Sequence, residues 1–471
     1  MRQDFTIAVV GSGYVGLVAA ACFAEIGHHV FCVDSDKAKV QILQAGGIPI
    51  HEEHLPELLN RHRAAARIEF TADLRRATQK SQAIFIAVGT PQSVTGSADL
   101  SYVDAVASEI ARSIDSYKVI VEKSTVPVYT NEWIRRVIER NGVSRHLFDV
   151  TSNPEFLREG TAVVDFLHPD RIVLGAETER AAEVLQHIYQ PLASGSYYGS
   201  PNAVPGPRRA SDPPPVLLTS TKAAEIIKHA SNAFLATKIS FINAVANVCE
   251  AAGTDIEDVA RGIGLDHRIG PNFLRAGIGY GGSCFPKDVA AFRDVAEKMG
   301  VNFGLLSEVE KINTEQKRRF FQKIRSALWT LRGKKIAVLG LAYKGGTDDV
   351  RESPAIDIVD QLLREGCLVN AYDPAAADRA KELLPHGPLM RYADSPYAAA
   401  QGADALLILN DWQEFSDLDL ERLYSTLHYP IVIDGRNLYN PAVMLQKGFT
   451  YFSIGRPALA ENRDAVEHGL T

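Results

Sequence analysis

The segment 277–289, GIGYGGSCFPKDV, places one cysteine among residues that could assist a reaction of its thiol. Cys284 follows two glycines and a serine and precedes Lys287 and Asp288. Buried structural cysteines usually have large apolar neighbours, whereas this one lies in a conformationally permissive stretch. Because a nearby cation such as Lys287 favours a thiolate, the pattern fits a nucleophilic thiol. An ordinary buried cysteine is the alternative.

A second set of candidate residues lies on a predicted helix. Apolar residues at helical spacing predict one long helix from about Thr221 to Ala252, and Gly253 is a natural end for it. Lys228 and Asn232 are one helical turn apart and therefore share a face. A lysine in such a helix usually extends its head group to solvent. The functional interpretation is a cation and an amide donor directed at a developing negative oxygen.

A glycine-rich turn near the start of the chain is typical of dinucleotide binding. GSGYVG places Gly11, Gly13 and Gly16 between a β-branched run and a helix, and Asp34 ends the next strand. Gly13 allows a pyrophosphate to approach the backbone, and the helix N-terminus favours the anion. Asp34 can accept hydrogen bonds from the ribose hydroxyls and would repel a 2'-phosphate, so we predict NAD rather than NADP. A glycine turn needed only for packing is the alternative.

Further polar motifs follow predicted strands. VGTP, with Thr90, and EKSTVP, with Thr125, end strands at the edge where open parallel sheets bind ligands. NPEFLREG clusters Glu155 and Glu159 after another strand. Each of these motifs is also compatible with a plain or a charged turn.

Composition narrows the functional class. The chain has 471 residues, enough for two or three domains, and its net charge of -7 gives no reason to expect a nucleic-acid partner. The five cysteines are scattered without CxxC pairs, which argues against a disulfide framework or a zinc site and suits a reducing cytoplasm. The histidines form no HExxH motif, and HEEHLPELL, which has histidines and acids at mixed spacing, is interpreted as a helix edge, so we predict no metal.

Alternating strands and helices predict two doubly wound, Rossmann-like α/β domains joined by the long helix and a small helical domain. We predict domains at 1–200, 216–325 and 330–471, with a proline-rich loop at 192–215. The uncharged run 5–24 is long enough to span a bilayer, but a strand, a turn and a helix explain it better. The predicted strands lie in TIAVVG, HHVFCVD, AIFIAVGTP, KVIVEKST, FDVTSNPEF, KKIAVLGLAY, CLVNAYD, ADALLILN and PIVIDGR.

In this order, the motifs resemble the UDP-glucose/GDP-mannose dehydrogenase family over nearly the whole chain. The resemblance rests on GSGYVG, VGTP, KSTVP, NPEFLREGTAVVDFLHPDRIV, NAFLATKISFIN, PNFLRAGIGYGGSCFPKDV and LAYKGGTDDVRESPAIDI, and DFLHPDRIV and DHRIGPNFLRAGIGYGGSC look more like the branch that acts on UDP-glucose. It implies an NAD domain, a UDP-sugar domain and a cytoplasmic homodimer built on the long helix. The proline-rich loop is longer than expected for this family, and YKGGTDD has two glycines where other members often carry bulkier residues.

The resemblance also implies a four-electron oxidation of UDP-glucose to UDP-glucuronate, a precursor for polysaccharides. Cys284 would capture the intermediate aldehyde as a thiohemiacetal and then carry a thioester. Lys228 and Asn232 would stabilise the oxyanions. Asp288 would assist proton transfer through a water molecule that Thr125 and Glu155 help to hold.

The family motifs further assign binding residues to this chain. The implied NAD contacts are Gly11, Gly13, Tyr14, Val15, Gly16, Asp34, Lys39, Thr90, Thr125, Glu159, Lys287 and Arg351. The implied substrate contacts are Glu155, Phe156, Leu157, Arg158, Lys228, Asn232, Arg268 (across the dimer), Phe273, Leu274, Arg275, Ala276, Gly277, Gly281 and Lys344.

Three other functions share parts of this pattern. A related enzyme acting on GDP-mannose or a UDP-N-acetylhexosamine would use the same motifs. A two-electron hydroxyacid dehydrogenase would share the fold and NAD but would not need Cys284. A dinucleotide sensor or scaffold would keep GSGYVG and have no use for Cys284, Lys228 and Asp288 together.

Overall fold

The computed structural model describes residues 4–91 and 98–457, which form two compact units. The first unit comprises Met1–Ser231 and Ala290–Val301, and the second comprises Asn232–Val289 and Asn302–Thr471. The outer ends of the predicted domains, residues 1–3 and 458–471, lie outside the described residues. Each unit is built on its own sheet.

The first unit contains an eight-stranded sheet in the order β3-β2-β1-β4-β5-β6-β7-β8. Neighbouring strands are parallel except for β6 and β7, which pair antiparallel. Its central strands are mostly apolar and almost entirely buried, as expected for a parallel sheet covered on both faces. The strands are β1 Thr6–Val10, β2 His29–Val33, β3 Ile68–Thr71, β4 Ala83–Ile86, β5 Lys118–Glu122, β6 Phe148–Ser152, β7 Ile172–Gly175 and β8 Val216–Thr219.

In the described part of this unit, eight α-helices lie between the strands. The first of them is composed largely of small residues and is buried from Gly16 to Ala24, so it packs closely on the sheet. The helices are α1 Tyr14–Glu25, α2 Lys37–Gln44, α3 Leu55–Ala64, α4 Leu74–Lys80, α5 Ser101–Ala111, α6 Thr130–Arg140, α7 Ala162–Leu167 and α8 Glu179–Ala193.

The second unit contains a six-stranded, wholly parallel sheet in the order β11-β10-β9-β12-β13-β14. Its strands are β9 Lys335–Leu339, β10 Leu368–Tyr372, β11 Met390–Tyr392, β12 Ala405–Ile408, β13 Ile431–Asp434 and β14 Thr450–Phe452. The remaining helices of the chain are α9 Thr221–Ala252, α10 Ile256–Gly264, α11 Phe285–Lys298, α12 Gly304–Leu328, α13 Pro354–Arg364, α14 Ala377–Leu383, α15 Pro396–Ala400, α16 Gln413–Ser416, α17 Leu420–Thr426 and α18 Pro441–Gln446.

The long helix α9 begins and ends where the sequence predicts, and the division between the units falls within it, after Ser231. The division also falls within α11, after Val289. All nine predicted strands are confirmed, and the fold class with them. Five further strands, β3, β7, β8, β11 and β14, were not predicted.

The uncharged run near the N-terminus forms β1 and α1, which confirms the prediction of a strand, a turn and a helix. In the part of the chain that the structure describes, no helix is long and apolar enough to cross a membrane.

The proline-rich stretch is mostly irregular, as predicted, but it is packed against the rest of its unit. The imidazole of His168 contacts the carbonyl oxygen of Val204 at 2.7 Å through Nε2 and accepts a bond from the amide of Arg208 at 3.3 Å through Nδ1. A Cβ atom on Gly206 would lie 2.3 Å from this imidazole ring, so only glycine fits there.

Candidate active site

The turn between β1 and α1 has the shape that a pyrophosphate requires. A Cβ atom on Gly16 would lie 1.8 Å from the carbonyl oxygen of Gly11, so the close helix–turn packing depends on glycine. At Gly13, which caps α1, a Cβ atom would meet no other described atom within 4 Å. The backbone there is open for the close approach of an anion to the helix N-terminus, and the residues therefore fit NAD.

Asp34, at the end of β2, is prepared as an anionic acceptor beside this turn. Its Oδ2 accepts hydrogen bonds from Ser12 through the amide, at 2.8 Å, and the hydroxyl, at 2.6 Å. Lys39 lies 3.4 Å from the same oxygen. Burial alone would raise the pKa of Asp34, but the bonds from Ser12 and Asp36 and the charge of Lys39 outweigh it and lower the pKa.

Tyr14, the first residue of α1, contacts a carboxylate that the sequence did not reveal. Its hydroxyl bonds to Glu52, which also accepts from the amides of Gly160 at 2.8 Å and Val163 at 3.2 Å. Glu52 therefore links the first turn of α1 to the end of NPEFLREG. Val15, next to Tyr14, is half-buried. Glu52 lies in HEEHLPELL, whose mixed histidines and acids gave no signal for this contact.

The two threonine motifs meet in the first unit. The hydroxyl of Thr90 donates to the carbonyl oxygen of Thr125 at 2.8 Å, and Thr90 is buried. Ser124 donates to the carbonyl oxygen of Val88 at 2.8 Å. The strand ends of β4 and β5 are thus held together at the carboxyl edge of the sheet, as the sequence predicts.

Lys228 on α9 forms a buried ion pair with Glu155. Its Nζ lies 3.0 Å from Oε1 of Glu155, while Oε2 accepts from the amide of Leu157 at 2.6 Å. Burial would raise the pKa of Glu155, but the charge of Lys228 and the amide of Leu157 outweigh it, and the pKa is lowered. The lysine therefore does not extend to solvent; it supplies a fixed cation.

The neighbours of this pair are positioned by contacts of their own. The ring of Phe156 carries the guanidinium of Arg171 at 3.7 Å from its centroid. Arg158 pairs with Asp165 at 2.7 Å on the surface, and Glu159 is buried. Arg171 was not among the predicted residues, although it lies in the quoted HPDRIV motif.

Lys123 is a second buried cation near the pair. Its Nζ donates to Oδ1 of Asn153 at 3.0 Å, and the same oxygen accepts from the hydroxyl of Tyr189 at 2.5 Å. Burial lowers the pKa of Lys123 to about 8, although the charges of Glu155 and Glu122 oppose the shift. In the sequence, nothing distinguishes this lysine from a surface lysine at a strand end.

In the second unit, Cys284 immediately precedes α11 and is only partly buried. Its carbonyl oxygen accepts from the amide of Asp288 at 2.8 Å, and the hydroxyl of Ser283 lies 3.5 Å from its sulfur. The carboxylate of Asp288 is fully buried and accepts from Nδ2 of Asn232 at 2.6 Å. Lys287 lies 3.7 Å from the other oxygen of Asp288. The thiol is therefore at a helix N-terminus, where negative charge on sulfur is stabilised.

The glycine loop before Cys284 packs on the loop that follows β9. A Cβ atom on Gly281 would lie 2.1 Å from the carbonyl oxygen of Glu352, and the amide of Gly282 donates to Arg351 at 3.0 Å. The guanidinium of Arg351 binds Asp349 at 2.8 Å. The Nζ of Lys344, in the same loop, lies 5.7 Å from the ring centroid of Tyr343.

The predicted sugar segment, Phe273 to Gly277, is fixed by polar contacts of the second unit. Phe273 has a left-handed backbone with a φ of 64°, while Leu274 and Ala276 are buried. The amide of Gly277 donates to Oδ1 of Asn243 at 2.9 Å, and its carbonyl oxygen accepts from Gln316 at 2.8 Å.

Asp411 joins this segment to an arginine that was not predicted. It pairs with Arg275 at 3.3 Å and Arg436 at 3.2 Å. The charge of Arg436, followed by the amide of Gly345 and the charge of Arg275, holds the pKa of Asp411 well below its usual range despite burial. Arg436 follows β13. In the sequence, the segment IDGR indicates the strand but does not mark this arginine as a functional residue.

Arg268 is placed apart from this segment in its own turn. Its side chain is 78% exposed and binds Asp266 at 2.5 Å.

Across residues 4–91 and 98–457, no group of histidine, cysteine and acidic side chains could hold a metal ion.

The glycine turn, Asp34 and the parallel sheet define the first unit as the NAD-binding part of a dehydrogenase. Comparison with family models gives the family. Residues 5–193 match the NAD binding domain, 222–315 the central domain and 337–441 the UDP binding domain of the UDP-glucose/GDP-mannose dehydrogenases. The chain belongs to this family, and the resemblance carried by its motifs is confirmed.

Several relatives match nearly the whole chain. The UDP-glucose 6-dehydrogenase TuaD of Bacillus subtilis is 45% identical over 96% of this chain and 94% of its own length. The structure of a UDP-glucose dehydrogenase from Pyrobaculum islandicum superposes with a TM-score of 0.85 at 37% identity, over 96% of this chain and 98% of that one. A UDP-D-ManNAc dehydrogenase from Pyrococcus horikoshii superposes with a TM-score of 0.80 at 28% identity, over 96% and 100%.

Proposed function

We propose that the protein oxidises UDP-glucose to UDP-glucuronate with NAD, through a covalent intermediate on Cys284. The observation that carries the covalent route is the partly exposed Cys284 at the start of α11, beside the buried pair of Asn232 and Asp288. The choice of UDP-glucose is supported by the relatives at 45% and 37% identity, whose names give that sugar nucleotide.

The proposed reaction removes two hydrides and one proton from the C6 alcohol and adds one water oxygen, so that three protons are released in all when the carboxylate forms and the thiolate is restored. NAD, when bound, supplies the acceptor for each hydride. Loss of the hydroxyl proton and the first hydride leaves an aldehyde. The thiolate of Cys284 adds to its carbonyl carbon, forming a C–S bond and an oxyanion that is protonated to a thiohemiacetal. Loss of that proton and the second hydride leaves a thioester, and water then breaks the C–S bond to give the carboxylate and the free thiol.

Five further side chains are assigned roles in these steps. Asn232 and Lys228 stabilise the oxygen that becomes negative, as an amide donor and a fixed cation. Asp288, buried and bonded to Asn232, assists proton transfer through water. Thr125 and Glu155 orient that water, and Glu155 also fixes the position of Lys228.

We assign the binding residues as the family motifs imply. NAD is held by the turn at Gly11 to Gly16, with Asp34 on the ribose and Thr90 at the strand ends. The UDP-sugar is held by Phe273 to Gly277, Gly281 and Lys344. The domain limits proposed are 1–200, 216–325 and 330–471, and the location proposed is the cytoplasm.

We further propose a homodimer built on α9. Phe234, Phe241 and Val248 are seven residues apart, so they form one stripe along the helix. Their exposed fractions are 66%, 53% and 66% in the single chain, which is unusual for large apolar side chains aligned on one face. Arg268, which is exposed and paired with Asp266 in its own turn, is assigned to the sugar of the partner subunit.

A UDP-N-acetylhexosamine is the second candidate substrate. The observation in its favour is the structure of the Pyrococcus horikoshii UDP-D-ManNAc dehydrogenase, whose fold superposes over nearly the whole chain.

The test is the yield of NADH with limiting sugar nucleotide, read from its absorbance. UDP-glucose, UDP-N-acetylmannosamine and GDP-mannose are each given to the wild type, Cys284→Ser and Cys249→Ser. Cys249 is a buried thiol of the same unit and serves as the matched control. Two NADH per UDP-glucose, retained in Cys249→Ser and lost in Cys284→Ser, is expected. One NADH per sugar, unaffected by Cys284→Ser, would overturn the covalent route, and turnover of another sugar alone would overturn the substrate.

A further inference from the structure

The loop that carries Thr125 continues into the first turn of α6, and this segment, residues 125–131, is held by a carboxylate with no role in the proposed chemistry. Oε2 of Glu225 accepts from the amide of Tyr129 at 2.9 Å. Oε1 accepts from the amide of Asn131 at 2.9 Å and from its Nδ2 at 2.8 Å. Glu225 and Asn131 are 3% and 4% exposed. Three hydrogen bonds therefore converge on one buried carboxylate at the start of α6.

The backbone of this loop needs such a support. Tyr129 has a φ of 76°, a left-handed conformation that is costly for a residue with a Cβ atom and persists only where its surroundings impose it. The amide of this strained residue is one of the three that Glu225 binds. The carboxylate thus holds the loop where the chain is conformationally most costly.

A neighbouring residue of α9 holds the other end of the loop. His229, one turn after Glu225, contacts the carbonyl oxygen of Val126 at 2.7 Å through Nε2. Its imidazole is 1% exposed and stacks on Phe292, with centroids 5.9 Å apart. Lys228, the cation paired with Glu155, lies between these two residues in the sequence. One face of α9 therefore carries both the proposed catalytic cation and the supports of the threonine loop.

Packing alone does not fix the loop. A cavity of about 10 Å³, the size of one water molecule, is lined by Thr125, Val126, Glu225, Lys228 and Glu155, among others. Because this space is lined by polar residues and not filled by side chains, packing against α9 is incomplete there, and the polar contacts to α9 add to what holds Thr125 in place.

We infer that Glu225 is a positioning residue, which fixes the loop carrying Thr125 at a set distance from the segment of α9 that carries Lys228. The inference rests on the proposed function for the role of Thr125 and Lys228. Glu225 touches neither substrate nor cofactor in this account; it acts through Tyr129 and Asn131.

The test compares variants that remove different numbers of these bonds. Asn131→Ala removes the side-chain bond only. Glu225→Gln keeps one acceptor oxygen but turns an amide N–H group toward the amide of Tyr129. Glu225→Ala removes all three bonds. Asp73→Asn changes the carboxylate that caps α4, an exposed cap of the same unit, and is the matched control.

The rate constant kcat, corrected for the folded fraction, is expected to fall in that order, by about 10- to 100-fold in Glu225→Ala, since small displacements of a positioned group are costly. KM for UDP-glucose is expected to stay within about twofold of wild type, because segment 125–131 contains none of the residues assigned to the UDP-sugar. A lowered melting temperature with unchanged kcat in all three variants would show a structural role only and overturn the inference.

Hydrogen exchange of the amides in 125–131 gives a readout that does not need activity. Faster exchange there in Glu225→Ala than in wild type and Asp73→Asn is expected, and unchanged exchange would overturn the inference. If Glu225→Ala does not fold, Asn131→Ala decides both measurements. If the wild type oxidises a different nucleotide sugar, the proposal of UDP-glucose as the substrate fails. The inference about Glu225 is then tested by the same comparison of variants with that other sugar.

Discussion

The ammonium of Lys228 lies 3.0 Å from the carboxylate of Glu155, and their side chains are only 5% and 4% exposed. Bulk water stabilises neither of these buried charges. The two charges stabilise each other, and the amide of Leu157 adds to the stabilisation of the carboxylate. The pair therefore links stability to the proposed chemistry, because the cation assigned to the oxyanion is held by the carboxylate assigned to the water.

The first prediction concerns the stability of this pair. Glu155→Gln is expected to lower the free energy of unfolding by about 3–5 kcal/mol, because it removes the carboxylate that pairs with the buried charge of Lys228. Lys222→Met on the same helix removes a partner of Glu132 from a pair whose side chains are 50% and 24% exposed, and should cost at most about 1 kcal/mol. Urea denaturation measures both. Equal costs for the two variants would contradict the account of a mutually dependent buried pair.

The second prediction concerns cofactor choice at Asp34. Asp34→Ala is expected to raise KM for NAD at least about tenfold and to lower KM for NADP, because the repulsion of a 2'-phosphate is removed. Asp36→Asn is the matched control, since asparagine caps α2 as well as aspartate does and only a nearby charge is lost. Initial rates with each cofactor measure the effect. An unchanged ratio of the two KM values in Asp34→Ala would remove Asp34 from ribose recognition.

The third prediction concerns the apolar stripe of α9. Phe241→Glu is expected to convert the proposed dimer to monomers, because a charge would be buried in the apolar contact. Trp329→Glu places the same charge at a residue that is 92% exposed and should leave the dimer intact. Sedimentation velocity distinguishes the two. A monomeric wild type, or a dimeric Phe241→Glu, would contradict the assignment of this stripe to the interface.

The sequence predicted the strands that lie at the centres of the sheets and missed those at the edges. The strands β3, β8, β11 and β14 lie at the edges of the sheets and have only three or four residues each. Buried and exposed side chains alternate along them, or the side chains are partly exposed, so no continuous apolar run marks these strands in the sequence. Strand β7 is buried but short. It directly continues the motif that ends in DFLHPDRIV, so the sequence does not mark it as a separate strand. Long α9 was predictable because its apolar period extends over many turns.

The site was predictable where a residue type carries the chemistry, as at Cys284 or in the glycine turn. It was not predictable where a residue acts through its neighbours. Glu52 and Glu225 are ordinary acids in helical segments of the sequence, and only the folded chain brings backbone amides to their carboxylates. Lys123 likewise becomes distinct only through its burial.

The fourth prediction concerns Glu52 and pH. Burial raises the pKa of Glu52 to about 7, although the amides of Val163 and Gly160 oppose the shift. The folded chain therefore keeps a proton that the unfolded chain loses at a pKa near 4.5. Since the folded state binds more protons between about pH 4.5 and about pH 7, this carboxyl group lowers the free energy of unfolding as pH rises through that window.

Glu52→Gln carries no such proton, so its free energy of unfolding should rise relative to that of wild type as pH increases from about 4.5 to about 7. Glu53→Gln, which changes the neighbouring carboxylate whose side chain is 68% exposed, should follow wild type over the same range. Urea denaturation at a series of pH values gives the three curves. Parallel curves for wild type and Glu52→Gln would show that the carboxyl group is already ionised when the chain folds. The hydrogen bonds from the amides of Gly160 and Val163 would then lower the pKa of Glu52 by more than burial raises it. The contact from Tyr14 to NPEFLREG through Glu52 would in that case involve an ionised carboxylate at every pH in the window.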